Sequence, residues 1–131
     1  MQTETSRGPV TGPEGDRPVP AGGPRWRALL EMRWRARLQE VTELALAYHE
    51  AAAAADRGGG EDRLQARRLL RLQRRTVASR RALADTEEAL GRLSGGRYGR
   101  CESCAGAIGV QRLAATPETR YCARCARGRG R

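Results

Sequence analysis

Four cysteines lie near the C-terminal end of this 131-residue sequence, arranged as two C-x-x-C pairs. Cys101 and Cys104 form the first pair, and Cys122 and Cys125 form the second after seventeen intervening residues. Such pairs serve three kinds of chemistry: structural disulfides, a thiol redox centre, or a metal site. Disulfides belong mainly to secreted chains, and a thioredoxin-like redox pair belongs to a βαβ unit, which this sequence lacks.

The spacing of the cysteines is typical of a closed tetrahedral Zn²⁺ site. Each pair supplies two thiolates that reach one ion at about 2.3 Å. Four thiolates leave no open coordination position, so the ion would be structural and not catalytic. We therefore predict one structural Zn²⁺ bound by Cys101, Cys104, Cys122 and Cys125. The metal would hold together a segment that has too few apolar residues for a core of its own.

The composition limits both the fold and the partners. Only five residues are aromatic, so a large closed core is not expected. The net charge is +10 and its excess lies in the C-terminal half, which suggests an anionic partner as readily as a merely solvated surface. The sequence has no signal-like segment, no membrane-spanning apolar run, no nucleophile–base pairing and no phosphate loop. We expect a soluble, cytoplasmic protein that is not an enzyme.

Two long helical segments precede the cysteines. Residues 1–24 hold five of the six prolines and are predicted to be a disordered tail. From residue 25 to Asp56 there is neither Gly nor Pro, and apolar residues recur at spacings of three and four. The predicted seam of this first helix is interrupted by Arg37 and consists of Leu30, Trp34, Val41, Leu44, Tyr48, Ala51 and Ala55.

Three glycines, Gly58 to Gly60, end the first helix, and a second helix is predicted from Glu61 or Asp62 to Leu93. Its seam consists of Leu69, Leu72, Thr76, Ser79, Leu83, Thr86, Leu90 and Leu93. Two helices of similar length joined by a short turn should pack as an antiparallel hairpin. The predicted fold is mainly α. It comprises the tail (1–24), a long antiparallel coiled-coil hairpin (25–94, tip near 56–62), a C4 zinc finger (95–127) and a basic tail (128–131).

The residues around the cysteines, YGRCESCAGAIGVQRLAATPETRYCARC, closely resemble the C4-type zinc finger of the DksA/TraR family. The matching positions include Tyr98, Gly99, Cys101, Cys104, Ile108, Arg112, Leu113, Ala115, Pro117, Cys122 and Cys125. Ala105 is a departure, because the family usually has Gly there. The resemblance extends over residues 25–127, since the family also requires an upstream helical hairpin.

The resemblance implies a monomeric regulator that binds RNA polymerase. In this family the zinc module braces the base of the hairpin, which enters the secondary channel of the polymerase and modulates transcription initiation without reading a DNA sequence. The family's acidic tip motif is only partly kept, so the expected effector residues are Asp56, Glu61 and Asp62. The positions expected to bind ppGpp are Ala78 and Asp85, neither of which is basic, so no nucleotide cofactor is expected.

Two alternatives from other functional classes remain at this point. The arginine-rich second helix and the C-terminal RGRGR could belong to a basic module that binds nucleic acid. Such modules usually display aromatic residues beside the metal, and only Tyr98 and Tyr121 are available. The cysteines could also serve a redox sensor in which thiol oxidation ejects the zinc and releases the hairpin.

Overall fold

The computed structural model describes residues 24–58 and 63–129. These residues contain helices α1 (Pro24–Arg57), α2 (Arg63–Ser94), α3 (Val110–Ala115) and α4 (Ala123–Arg129). They divide into two compact units, one ending at Tyr98 and the other beginning at Gly99. Helices α1 and α2 form the first unit, and none of the helices described is both long and apolar enough to cross a lipid bilayer.

Helices α1 and α2 pack against each other as the predicted antiparallel hairpin. They contain 34 and 32 residues, so each is about 50 Å long at 1.5 Å per residue. Helix α1 begins at Pro24, whose fixed φ and missing N–H suit the first helical turn. Apart from Pro24, the predicted N-terminal tail lies outside the described residues, as do Gly59 to Asp62 of the predicted tip.

The predicted seam lies between the two helices. Every seam residue of α1 and α2 that the sequence pattern selects is buried or half-buried. Arg37, the interruption in α1, is half-buried and forms an ion pair with Glu40 one turn later, with 3.6 Å between its Nη1 and the carboxylate. A charged residue is thus accommodated at the edge of the seam, so the interruption does not end the helix.

Full burial is concentrated at the end of the hairpin where α1 begins and α2 ends. Trp26, Leu30, Ala89, Leu93 and Tyr98 are all buried there. The rings of Trp26 and Tyr98 lie 5.8 Å apart between centroids and are tilted by 49°, a favourable aromatic contact. In the other half of the hairpin, residues 45–58 and 63–78, every residue is at least partly exposed. Tight packing therefore holds the base of the hairpin, and looser packing holds the part toward the tip.

The polar residues of the α2 seam differ in how their hydroxyl groups are satisfied. The Thr76 hydroxyl donates to the Leu72 carbonyl at 2.7 Å, and the Thr86 hydroxyl donates to the Ala82 carbonyl at 3.1 Å. The Ser79 hydroxyl is buried and has no hydrogen-bond partner within the described part of the chain. An unpaired buried hydroxyl costs stability, because it has lost its hydrogen bonds to water.

Helix α2 ends in a glycine-dependent cap. Gly96 has φ 72°, in the left-handed region that glycine adopts without steric cost. The N–H of Arg97 donates to the Arg92 carbonyl at 2.8 Å, and the N–H of Gly96 donates to the Leu93 carbonyl at 3.2 Å. These two bonds are the Schellman arrangement, which satisfies carbonyls at a helix end and turns the chain away. The chain thereby leaves the hairpin three residues before the second unit begins.

Candidate metal centre

The first cysteine pair lies in a tight turn held by backbone hydrogen bonds. The N–H of Ala105 donates to the Cys101 carbonyl at 2.9 Å, and the N–H of Cys101 donates to the Gly106 carbonyl at 2.8 Å. A further bond of 2.8 Å joins the N–H of Ile108 to the Gly99 carbonyl. These bonds fold residues 99–108 back on themselves, so the Cys101 and Cys104 side chains leave the same turn.

Ala105 completes this turn in a conformation that is unusual for its type. Its φ is 62°, and it is the only residue other than glycine with a positive φ in the described part of the chain. In that region the Cβ atom crowds the neighbouring carbonyl, which is why glycine is favoured. The structure therefore gives a physical reason for the glycine that the family usually has at this position.

Helix α3 and a small apolar cluster support the turn. Ile108, Leu113 and Pro117 are buried together with Cys101 in the second unit. Leu113 has no exposed surface, although α3 is only six residues long. A cluster of this size is too small to stabilise a fold alone, so a further source of stability is required.

Arg112 joins α3 to the segment that carries the second cysteine pair. Its Nε donates to the Tyr121 carbonyl at 2.8 Å, next to Cys122. The Thr119 hydroxyl donates to the same carbonyl at 3.1 Å. A backbone bond of 2.9 Å from the N–H of Glu102 to the Arg120 carbonyl connects the two cysteine-bearing segments directly. Together these contacts fix the position of the second pair relative to the first.

The four cysteine side chains meet at one point. Cys125 lies in the first turn of α4, and its N–H lies 3.4 Å from the Cys122 sulfur. All four Sγ atoms lie within 4.8 Å of one another, and those of Cys104 and Cys122 are 3.9 Å apart. A tetrahedron with metal–sulfur bonds of about 2.3 Å separates its sulfurs by about 3.8 Å. The four cysteines are therefore positioned to bind one metal ion, and an all-sulfur tetrahedral set suits Zn²⁺.

The proton affinities of the thiols are uneven within the cluster. Burial raises the pKa of Cys101, but the backbone N–H groups of Cys122, Cys104 and Ser103 outweigh it and lower the pKa to about 6. The pKa of Cys122 is lowered, chiefly by the backbone N–H of Cys125. The pKa of Cys125 rises to about 12 because the thiols of Cys122 and Cys101 bond to it and disfavour its ionisation. Four negative charges cannot share this space alone, so a bound cation is needed to keep all four as thiolates.

The structure brings together the predicted metal ligands but not the predicted tip residues. Asp56 is exposed in the last turn of α1, in the other unit, and Glu61 and Asp62 lie outside the described residues. The sequence pattern predicts no role for the backbone of Ala105 or for the side chain of Arg112. For Ala105, the available sequence signal is that alanine stands where the family usually has glycine. For Arg112, the sequence shows only that the residue matches the motif; it does not indicate the hydrogen bond to the Tyr121 carbonyl.

Comparison with known proteins agrees with this geometry. Residues 96–129 match the prokaryotic DksA/TraR C4-type zinc finger. An uncharacterised protein of Aquifex aeolicus is 48% identical over 44 residues, a match that spans 34% of this chain and 30% of that relative. The DksA2 transcription factor of Pseudomonas aeruginosa has a similar structure, with a TM-score of 0.49 and 20% identity over 77% of this chain and 82% of DksA2.

The segment that matches the DksA/TraR zinc finger begins at residue 96, just after helix α2. It includes all four cysteines, Ala105 and Arg112. The predicted resemblance is thus confirmed, and the prediction of a structural zinc is supported by the family and by the sulfur positions. The match covers the cysteine-bearing unit and does not include helices α1 and α2, so the function of the hairpin has to be inferred.

Proposed function

We propose that this protein is a non-enzymatic transcription regulator that binds RNA polymerase and inserts its α1–α2 hairpin into the secondary channel. The observation that carries the proposal is the order of its parts: a hairpin of two helices, each about 50 Å long, followed at once by a DksA/TraR zinc finger. A narrow helical pair can enter a channel that a globular domain cannot. The protein would act in the cytoplasm, as a monomer, and read no DNA sequence.

In this proposal one Zn²⁺, bound by Cys101, Cys104, Cys122 and Cys125, has a structural role. When bound, the ion supplies the folding free energy that the small apolar cluster around Leu113 lacks. Arg112 donates a hydrogen bond to the Tyr121 carbonyl beside Cys122 and would thereby hold the second cysteine pair in position to bind the ion. We propose the division of the chain that the sequence predicts: a tail (1–24), the hairpin (25–94), the zinc finger (95–127) and a basic tail (128–131).

The effector residues of the proposal are the carboxylates of Asp56, Glu61 and Asp62 at the hairpin tip. The polymerase catalytic centre holds Mg²⁺ and basic residues, so carboxylates brought near it would change the local field. Asp56 is exposed and thus available for such a contact. The positions expected to bind ppGpp are Ala78, which is exposed, and Asp85, whose charge would repel a phosphate. The regulator would therefore work without this nucleotide.

Co-purification of the tagged protein with the RNA polymerase of its host tests the proposal. Binding should persist at moderate salt, and free duplex DNA should compete poorly. If nucleic acid were the partner, affinity would instead fall linearly with the logarithm of salt concentration. Failure to bind the polymerase, together with tight and salt-limited binding to DNA, would contradict the proposal and favour a nucleic-acid-binding module.

The role of the tip is tested separately with a triple variant, D56A/E61A/D62A. It should bind the polymerase nearly as well as the unaltered protein and lose its effect on initiation in a purified transcription assay. A matched control removes three exposed acidic residues elsewhere, E31A/E87A/E102A, and should keep the effect. If the tip variant regulates as well as the unaltered protein, the tip is only a connector and the hairpin acts by occupying the channel.

A further inference from the structure

One side of α2 carries a dense positive charge that neither the metal centre nor the proposed tip uses. Between Arg63 and Ala84 the helix has eight arginines and no acidic residue, and the next acidic residue is Asp85. At a helical repeat of 3.6 residues, Arg67, Arg71 and Arg74 project from one side of α2, away from the seam residues Leu72 and Ser79.

These three arginines share a surface depression with two leucines. Leu64, Arg67, Leu70, Arg71 and Arg74 line a shallow depression of about 360 Å³. The arginines lie along the middle of the helix face, with Leu64 on one edge and Leu70 on the other. We refer to these five residues as the arginine–leucine face. All five are exposed, so the face is accessible along three turns of the helix.

The charges of this face are not neutralised within the described part of the chain. Arg67, Arg71 and Arg74 form no ion pair or hydrogen bond there. Acidic residues do occur on the partner helix, but Glu43, for example, accepts a hydrogen bond from Gln39 on its own helix. Among residues 24–58 and 63–129, nothing occupies these three guanidinium groups, and each can hold a carboxylate of an anionic ligand with two parallel hydrogen bonds.

The leucines distinguish between the possible anionic ligands. Leu64 is 71% exposed and Leu70 is 46% exposed, and Val77, about two turns beyond Leu70 on the same edge, is 57% exposed. A phosphate backbone has no apolar surface to cover these side chains, whereas an amphipathic protein segment presents acidic and apolar groups together. Arginine beside apolar residues is also the composition that protein interfaces favour.

Two other occupants fit less well. A second copy of this chain would have to approach against the mutual repulsion of two molecules with a net charge of +10 each. A membrane would require a much wider apolar side on the helix than Leu64, Leu70 and Val77 provide. An acidic partner protein matches both the charge and the apolar edges.

We propose that the arginine–leucine face of α2 is a docking surface for an acidic amphipathic segment of a partner protein. Carboxylates of that segment pair with Arg67, Arg71 and Arg74, and its apolar side chains cover Leu64 and Leu70. This surface does not depend on the hairpin entering the polymerase channel. It can therefore be tested on the purified, zinc-loaded protein.

The probe is an 18-residue blocked helical peptide with Glu at positions spaced by four and three residues and Leu beside them. A scrambled peptide of the same composition serves as the reference, and binding is followed by fluorescence anisotropy at 0.15 M salt. We expect the patterned peptide to bind at least about tenfold more tightly than the scrambled one. The triple variant R67Q/R71Q/R74Q should lose about tenfold in affinity, the sum of three exposed ion pairs.

Matched variants separate the proposed face from general charge attraction. R68Q/R75Q/R80Q removes the same charge from other exposed positions of α2 and should change affinity by less than about threefold. L64S/L70S should weaken binding of the patterned peptide, whereas M32S/L46S, which alters exposed apolar residues of α1, should not. Circular dichroism checks that each variant keeps its helices, as expected for exposed positions.

Three results would overturn the proposal. The first is equal binding of the patterned and scrambled peptides. The second is tight binding of a 20-base-pair DNA duplex that R67Q/R71Q/R74Q abolishes and L64S/L70S leaves unchanged, which would assign the face to nucleic acid. The third is self-association of the unaltered protein in sedimentation that R67Q/R71Q/R74Q removes, which would make a second copy the occupant.

Discussion

Replacing Ala105 with Gly should stabilise the metal-binding unit. An L-residue at φ 62° is strained by roughly 1–2 kcal/mol, because its Cβ crowds the adjacent carbonyl. Glycine removes that strain but loses roughly 0.5–1 kcal/mol through the greater freedom of the unfolded chain. The difference is a net gain of about 0.5–1 kcal/mol. Ala105 is exposed, so the missing methyl group takes little packing energy with it.

Zinc affinity is the natural measure of this gain, because metal binding and folding are coupled in so small a unit. A gain of about 0.5–1 kcal/mol corresponds to a roughly two- to fivefold tighter apparent affinity. Competition for zinc with a chromophoric chelator at fixed pH would resolve a change of that size. The thermal transition of the zinc-loaded protein gives a second, independent reading of the same free energy.

Ala107 provides a matched control two residues away. It is also exposed, but its φ is not positive, so Ala107→Gly should only add unfolded-state freedom and weaken zinc binding slightly. The two glycine substitutions should therefore have opposite signs. A lower zinc affinity of Ala105→Gly, or a change in the same direction for both substitutions, would contradict the predicted backbone strain at Ala105.

Further predictions concern the metal, the pH response, Arg112 and the hairpin seam. Purified protein should contain close to one zinc per chain by metal analysis, and Cys101→Ser should lose it; intact disulfides without metal would contradict this. Zinc affinity should fall more steeply below about pH 6, where the Cys101 thiol of the metal-free site also becomes protonated and competes with the metal. Binding at neutral pH should release the proton of Cys125, whose pKa without metal is about 12. Calorimetry in buffers of different ionisation enthalpy counts that proton. Arg112→Leu should weaken zinc binding by roughly tenfold, because one charge-assisted bond to the Tyr121 carbonyl is lost. The helical signal of the hairpin should stay unchanged. Ser79→Ala should raise the free energy of unfolding of the hairpin by about 1 kcal/mol in chemical denaturation, since it removes an unpaired buried hydroxyl. The control Thr76→Ala removes a hydrogen-bonded hydroxyl and should not raise it.

The sequence allowed the hairpin to be predicted because helical periodicity is a local property. Seam residues such as Leu30, Leu44 and Leu93 recur at spacings that only one helical face can satisfy, and all are buried. The cysteine pairs were predictable for a similar reason, since the spacing within each pair decides whether two sulfurs can reach one ion. Both patterns can be recognised from residues that are close in sequence, without knowing which distant residues are in contact.

Other features were not predictable because they depend on contacts between distant positions or on backbone angles. Trp26 packs on Tyr98 across more than seventy residues of sequence, whereas the predicted seam begins at Leu30 and the sequence pattern places Tyr98 in the zinc motif. The bond from Arg112 to the Tyr121 carbonyl involves a backbone acceptor, which has no residue type of its own. Helices α3 and α4 are short, and too few residues repeat in them to produce a periodic pattern.

The uneven burial along the hairpin implies an order of local opening. Residues 45–58 and 63–78 give up little apolar contact when they separate, whereas separation at Trp26 and Leu93 exposes fully buried side chains. Amide hydrogens should therefore exchange with solvent fastest toward the far end of the helix pair and slowest beside Tyr98. The two helices therefore separate first at the end farthest from Trp26. Its distal turns can adapt to a confining surface at little energetic cost while the base stays closed.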